Sequence, residues 1–191
     1  MTETPNPYII DADTLTGEVR PIRRCVVALG SNLGDRLAKL QGALDTLADT
    51  PGVWVTEVSP VYETEPVDSP ADAGRFLNAV VIVDSTLSAH TLLDRAQAIE
   101  SAFGRQRRDG DVPNAPRPLD VDLILVGDRR ADDATLTLPH PRAHQRAFVL
   151  RPWADVDPAA VVPDQGSVKD LLSGVDDSGV RRRDDLTLEL H

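Results

Sequence analysis

Cysteine is almost absent: Cys25 is the only one in 191 residues. That excludes an intrachain disulfide framework and suits a reducing compartment. Cys25 opens an apolar run, so a buried structural thiol is expected there rather than a nucleophile. Aromatic residues make up only 4% of the chain, so Leu, Val and Ala must fill the core and the few aromatics outside core-like runs become candidates for ligand contact. Basic charge is short as well. The formal net charge of −11 argues against nucleic acid or an anionic membrane as the main partner, since both reward a basic surface. Lysine occurs only at Lys39 and Lys169, and the remaining positive charge is arginine. No run approaches the roughly 20 apolar residues of a membrane span, and no basic leader with an apolar h-region opens the chain. A cytoplasmic protein is expected, with any anion site built locally.

What is present fits one domain with a real core, at 41% hydrophobic residues. Residues 1–23 carry Pro5, Pro7, Gly17 and Pro21 around a short apolar patch at Tyr8-Ile9-Ile10 and are expected to be a flexible extension. A domain over 24–175 follows, then a tail over 176–191, whose Arg181-Arg182-Arg183 and Asp184-Asp185 runs predict a solvated, partly frayed segment. Cys25–Leu29 predicts a buried strand that turns through Gly30–Gly34 into a helix striped by Leu37, Leu40, Leu44 and Leu47. Val53 to Val61 predicts a strand, Glu63 to Gly74 a polar loop, and Phe76 to Val83 a strand. A helix capped by Ser88 with Leu92, Ala96, Ile99 and Phe103 on one face follows. Gly104 to Pro118 predicts a lid-like loop, Leu136 and Leu138 a short strand, and Ala147 to Ala154 a helix. No internal repeat is evident. The order β-α-β, β-α-β predicts an α+β sandwich on one mainly antiparallel sheet rather than a doubly wound one.

The most informative stretch is Arg117-Pro118-Leu119-Asp120-Val121-Asp122-Leu123-Ile124-Leu125. Side chains alternate faces on a strand, so Asp120 and Asp122 project together, with Cα atoms roughly 6.5–7 Å apart. Ile124 and Val126 continue their face, and Leu119, Val121, Leu123 and Leu125 take the other. Two carboxylates on a largely buried strand need compensating cations or donors. A hard divalent ion suits the need, because Mg²⁺ is usually held by one or two carboxylates plus phosphates and water.

Other residues gather around this strand in the sequence. Gly30-Ser31-Asn32-Leu33-Gly34 is followed by Asp35-Arg36, which fails the P-loop pattern and matches no dinucleotide fingerprint. It reads as a tight turn with Ser31 or Asn32 capping the helix. Arg105, Arg107, Arg108 and Arg117 flank the lid loop, and Arg142, Arg146 and Arg151 follow. Arginine suits bidentate phosphate geometry, although pairing with the many acids is the ordinary alternative. Gln97 and Glu100, at i and i+3, lie off the apolar stripe, where a solvated face or a ligand under the lid would both suit them. His140 sits between two prolines. With His144 it mimics a zinc pair but lacks a helix and a third ligand, so a donor to phosphate fits better. Phe76 and Asn78 share a strand face, an aromatic surface beside an amide that suits a planar heterocycle as well as an ordinary core. Phe148, Thr64 and the Tyr62-to-Val67 loop would complete such a pocket.

Together these motifs resemble the 6-hydroxymethyl-7,8-dihydropterin pyrophosphokinases of folate biosynthesis. The resemblance rests on Gly30–Gly34, Tyr62-Glu63-Thr64-Glu65-Pro66, Phe76-Leu77-Asn78-Ala79, Gly104-Arg105-Gln106-Arg107, Pro116 to Asp122 and Leu138-Pro139-His140-Pro141, and runs from about Arg24 to Gly174 in matching order. It implies a ferredoxin-like three-layer α-β-α sandwich, usually monomeric. It also implies transfer of the β,γ-diphosphate of ATP to the pterin hydroxymethyl group, with release of AMP and two Mg²⁺ ions. On that resemblance Asp120 and Asp122 would hold both metals, and Arg107 and Arg117 would stabilise the transferring group. Gln97, Glu100, Arg105, Thr137, His140 and Arg146 would bind nucleotide. Thr64, Val67 and Asn78 would recognise the pterin edge, and Phe76 and Phe148 would sandwich its ring. No residue stands out as a general base.

The chain departs from the family pattern at Asn114, where Trp is common, in a lid about two residues longer, at Glu65 where Pro is common, and at Pro141 where an aromatic can occur. These changes bear on affinity and lid closure. Two other functions share the same residues: nucleotidyl transfer at the metal site, and a non-catalytic nucleotide sensor on the same scaffold.

Overall fold

The computed structural model describes residues 9–11, 19–66, 74–104 and 118–191. A hairpin of β1 (Ile9–Asp11) and β2 (Val19–Pro21) leads into β3 (Arg23–Ser31), an inner strand of the main sheet. Helix α1 (Arg36–Ala48) follows, then β4 (Val53–Val58), β5 (Tyr62–Thr64) and the long β6 (Phe76–Ser85). Helix α2 (Ala89–Ala102) precedes β7 (Asp120–Val126), the strand that bears the two carboxylates. Two small hairpins, β8 (Ala131–Asp132) with β9 (Thr137–Leu138) and β10 (Val161–Val162) with β11 (Gly166–Ser167), bracket α3 (Ala147–Val156). Helix α4 (Val168–Ser173) and β12 (Val180–Arg182) end the chain.

The main sheet has the order β12-β5-β6-β3-β7, with β4 also paired to β6, and all its pairings are antiparallel. Helices cover both faces, which gives the expected α-β-α layers. One face meets α1 and α2 through Val27, Leu29, Leu77, Val81, Leu44 and Ile99. The other meets α3 through Val26, Val80, Ile82, Ile124, Leu150 and Trp153. Both cores are mainly aliphatic, as the scarcity of aromatics demanded, with Trp153 the large aromatic of the second. Cys25 is fully buried, and burial together with the charge of Asp84 pushes its thiol up to about 12, so it stays protonated.

Several expectations change. Helix α1 is capped by Asp35, whose carboxylate accepts from Ala38 N at 3.0 Å, not by Ser31 or Asn32; Ser31 Oγ instead donates to Pro118 O at 2.5 Å. The single strand expected over Val53–Val61 breaks at Ser59-Pro60. Ser59 Oγ accepts from Val80 N at 2.8 Å in place of a ladder partner, and Pro60 has no N–H to offer. The chain re-enters the sheet at Tyr62–Thr64, residues expected in a loop, which pair with Phe76–Asn78. On β7 a register shift opposite Val26/Val27 reverses the alternation. Ile124 stays on the face of the two aspartates, but Val126 joins the α1/α2 core and Leu125 turns toward the α3 side.

The tail differs most. Residues 180–182 form β12 against β5 (Val180↔Thr64, Arg181↔Glu63, Arg182↔Tyr62), and Leu188 is buried in the α1/α2 core. Gln41 exchanges two hydrogen bonds with the Glu189 backbone. A solvated, frayed tail was expected because its charge pattern conceals partners on a distant strand.

Candidate active site

The sheet register builds the site. Asn78 of β6 pairs with Gly30 of β3, and Gly30 pairs with Asp120 of β7. One step along, Val80 pairs with Ala28, and Ala28 with Asp122. Directly paired residues share a face, so the carboxylates and the Phe76/Asn78 surface look out on the α3 side of the sheet. Two strand spacings, about 10 Å, separate them, and only Ala28 and Gly30 lie between. Small residues there leave an open floor. A Cβ on Gly30 would stand 3.0 Å from Asn78 Oδ1 and 3.7 Å from Phe76 Cδ1, tight enough in the first case that the amide must shift.

Over this floor lies a cavity of about 770 Å³. Its lining joins Thr64, Phe76, Asn78, Asp120, Asp122, Arg146 and Phe148, seven of the residues that sequence reasoning singled out. At one end Asn78 is buried and its Nδ2 donates to Thr64 Oγ1 at 2.7 Å, so the amide is held in one orientation. Phe76 and Phe148 are half-buried and face the cavity from β6 and α3. The Arg146 guanidinium lies over the Phe148 ring, 5.4 Å from its centroid, an arrangement that attracts the cation to the ring's negative face. At the other end Asp120 and Asp122 are half-buried.

Gln97, Glu100, Thr137 and His140 lie outside the described lining of this cavity. Glu100 is buried, contrary to a solvated face, and its Oε1 accepts from Val121 N at 2.9 Å. It therefore grips the carboxylate strand between its two aspartates. Gln97 is half-buried on α2, and Thr137 is exposed on β9. The His140 backbone N–H donates to Ile124 O at 2.9 Å, and its Nδ1 accepts from Arg142 N at 3.2 Å. The proton of the neutral ring then belongs on Nε2. Burial, with the charges of Arg146 and Arg142, pushes the imidazole down to about 4, so His140 is a neutral donor at pH 7. Arg105, Arg107, Arg117 and Val67, with the lid and Asn114, fall outside the described residues.

Among the described residues no group of three His, Cys, Asp or Glu side chains is arranged to hold a metal, and His140 with His144 forms no zinc site. The Asp120/Asp122 pair suits an oxygen-seeking ion that completes its shell with phosphate and water, which is Mg²⁺ rather than zinc. Sequence reasoning missed Gly30 as the floor, which it took for part of a turn. It also missed Asp176, Ser178, Gly179 and Val180, which line the cavity from the tail. A glycine inside a strand was a usable signal for close approach; the tail had none. A second hollow of about 340 Å³ lies on the opposite face, where Arg36 and Arg75 meet Glu63, and these charges are paired with one another.

Comparison with known proteins bears on this geometry. Residues 26–158 match the family described as 7,8-dihydro-6-hydroxymethylpterin-pyrophosphokinase (HPPK). The chain is 40% identical over 161 residues to the 2-amino-4-hydroxy-6-hydroxymethyldihydropteridine pyrophosphokinase of Pseudomonas aeruginosa, covering 84% of this chain and 97% of that protein. It is 46% identical over 149 residues to the protein of the same name from Mycobacterium tuberculosis, covering 72% and 74%. Among solved structures it resembles wild-type HPPK-DHPS of Plasmodium falciparum with pteroate, at a TM-score of 0.62 and 13% identity. That match covers 83% of this chain and 45% of the longer one, and it supports the ferredoxin-like α+β fold.

Proposed function

The chain belongs to the 7,8-dihydro-6-hydroxymethylpterin-pyrophosphokinase family, and on that premise we propose that it makes pterin diphosphate for folate synthesis. The reaction moves the β,γ-diphosphate of ATP to the hydroxymethyl oxygen of 6-hydroxymethyl-7,8-dihydropterin and releases AMP. The observation that carries this reading is the placement of a ring-binding face and a carboxylate pair on one sheet face, about 10 Å apart, across the bare floor of Ala28 and Gly30.

The parts we assign follow the family pattern, supported by the shared cavity at Thr64, Phe76, Asn78, Asp120, Asp122, Arg146 and Phe148. Phe76 and Phe148 hold the pterin ring, and the Asn78 amide, oriented by Thr64, reads its polar edge with help from Val67. Asp120 and Asp122 would hold two Mg²⁺ ions, whose charge would balance that of the bound triphosphate. Arg107 and Arg117 balance charge on the transferring group. Arg146, Arg105, Gln97, Thr137 and the His140 Nε2–H contact the nucleotide, each suited to an acceptor oxygen or a base edge. Glu100 acts through the Val121 N–H, keeping the two aspartates in register. Positioning and charge balance suffice for such a transfer, since the phosphoryl chemistry demands little else of the protein.

The transferase domain begins near residue 24 and takes in the tail, which gives β12 to its sheet and Leu188 to its core. It works on small molecules as a cytoplasmic monomer. No helix among the described residues is long and apolar enough to cross a membrane, and the acidic surface disfavours nucleic acid.

Asp120→Asn and Asp122→Asn test the assignment. AMP release should fall on the order of 10²–10³-fold in each, while titration of the fluorescent pterin should give a Kd within about threefold of wild type. Retained turnover in either variant would overturn the metal role.

A further inference from the structure

Beyond residue 158, where the family match ends, the chain continues into a segment that returns to the cavity. Strand β12 lengthens the sheet past β5, so that Val180, Thr64 and Phe76 form one cross-strand row. Paired residues share a face, which turns the Val180 side chain to the same side as the Phe76 ring. Val180 is half-buried and lines the cavity beside Gly179, Ser178 and Asp176. Thr64, its direct partner, is the residue that fixes the Asn78 amide. The segment therefore stands at the ring-binding end and away from the carboxylates.

It is anchored on both sides of that contact. Glu65 N donates to Gly179 O at 3.2 Å and Arg183 N to Val61 O at 2.9 Å. Arg181 and Arg183 both reach the buried Glu63 carboxylate from the opposite face. Before the strand, Asp177 pairs with Arg151 of α3 at 2.9 Å. After it, Leu188 is buried in the α1/α2 core. A wall held this way is preorganised, and a ligand need not order it.

We propose that the tail strand is part of the pterin site, with Val180 a specificity-determining contact that limits the size of the heterocycle admitted beside Phe76 and Thr64. This rests on the function proposed above. The apolar Val180 side chain would cover one border of the bound ring and exclude water there, and the Ser178-Gly179 backbone would close the end of the cavity.

Val180→Trp and Val180→Ala test this, with Asp184→Trp, an exposed position beyond the strand, as the control. The readouts are the KM of each substrate in the AMP-release assay and a direct fluorescence titration of pterin. Val180→Trp should raise pterin KM and Kd by at least about tenfold. Val180→Ala, losing two methyl groups of contact, should raise them about five- to tenfold. ATP KM should move less than about twofold in both, and Asp184→Trp should match wild type. Pterin values within about twofold of wild type in a folded Val180→Trp, or equal losses for both substrates, would overturn the proposal. Should the Trp variant fail to fold, Val180→Ala decides by the same criterion. Absence of wild-type turnover would count against the proposed reaction, and the titration would still judge the wall.

Discussion

Glu63→Gln is the sharpest structural perturbation available, because one buried carboxylate joins three parts of the chain. Its side chain is 9% exposed and meets Arg36 and Arg183 at 3.0 Å, Arg181 at 3.2 Å and Arg75 at 3.8 Å. Burial pushes the Glu63 carboxyl up, but hydrogen bonds and charge from Arg36, Arg183 and Arg181 outweigh it and hold the group below its ordinary range. Gln keeps the shape and loses the charge. Arg183 then retains Asp185 and Arg75 retains Glu65, Arg181 turns to water, and Arg36 keeps the Arg75 carbonyl with at most a neutral amide oxygen in place of the carboxylate. A pair of charges near 4 Å is worth about 4 kcal/mol at an effective dielectric of 20. Relief of the carboxylate's own desolvation offsets part of this, so a net loss of about 2–3 kcal/mol is expected. In a chain of this size that lowers Tm by about 4–12 °C. The pH dependence has a definite sign. A depressed carboxyl pKa stabilises fully above its unfolded value near pH 4.5 and loses that contribution as pH falls through the folded value. Thermal melts of both proteins from pH 8 to pH 3 should show a constant gap down to about pH 5 and a shrinking one below. A gap under about 2 °C at pH 7, or one that persists undiminished at pH 3, would refute the reasoning.

Two further outcomes follow from the site. Gly30→Ala should raise pterin KM about tenfold with ATP KM unchanged, because the new methyl displaces the Asn78 amide and forfeits about one hydrogen bond; an unchanged pterin KM would contradict the floor assignment. His140 should titrate near pH 4 by NMR. Between pH 6.5 and 4 the unfolded chain binds a proton that the folded one does not, so the imidazole costs stability as pH falls, by about 1–2 kcal/mol after allowance for its partial exposure. His140→Asn should flatten that part of the stability profile, and a His140 pKa above 6 would refute its neutral assignment.

The long strands, the main helices and the shared face of the two aspartates were legible because each rests on local periodicity. Period two placed Asp120 and Asp122 together, and the Ser88 cap and the leucine stripe of α1 appear where spacing put them. What escaped was non-local. The fate of Val126 depends on a register shift against β3, which no property of β7 alone announces. Glu100 looked solvent-facing on its helix, yet Val121 N–H awaits it from a strand that has not formed when the helix is considered by itself. The tail's arginines look solvated until Glu63 of β5 is brought beside them. Gly30 carried an intermediate signal: a strand glycine marks close approach, but only the register with Asn78 says to what.

The central claim is that the chain moves a two-phosphate unit to a pterin alcohol. Phosphorus NMR of the products formed from ATP, Mg²⁺ and 6-hydroxymethyl-7,8-dihydropterin tests it most directly. AMP and pterin diphosphate are expected in equal amounts. ADP as the sole nucleotide product, or free pyrophosphate with a nucleotidyl-pterin, would contradict it.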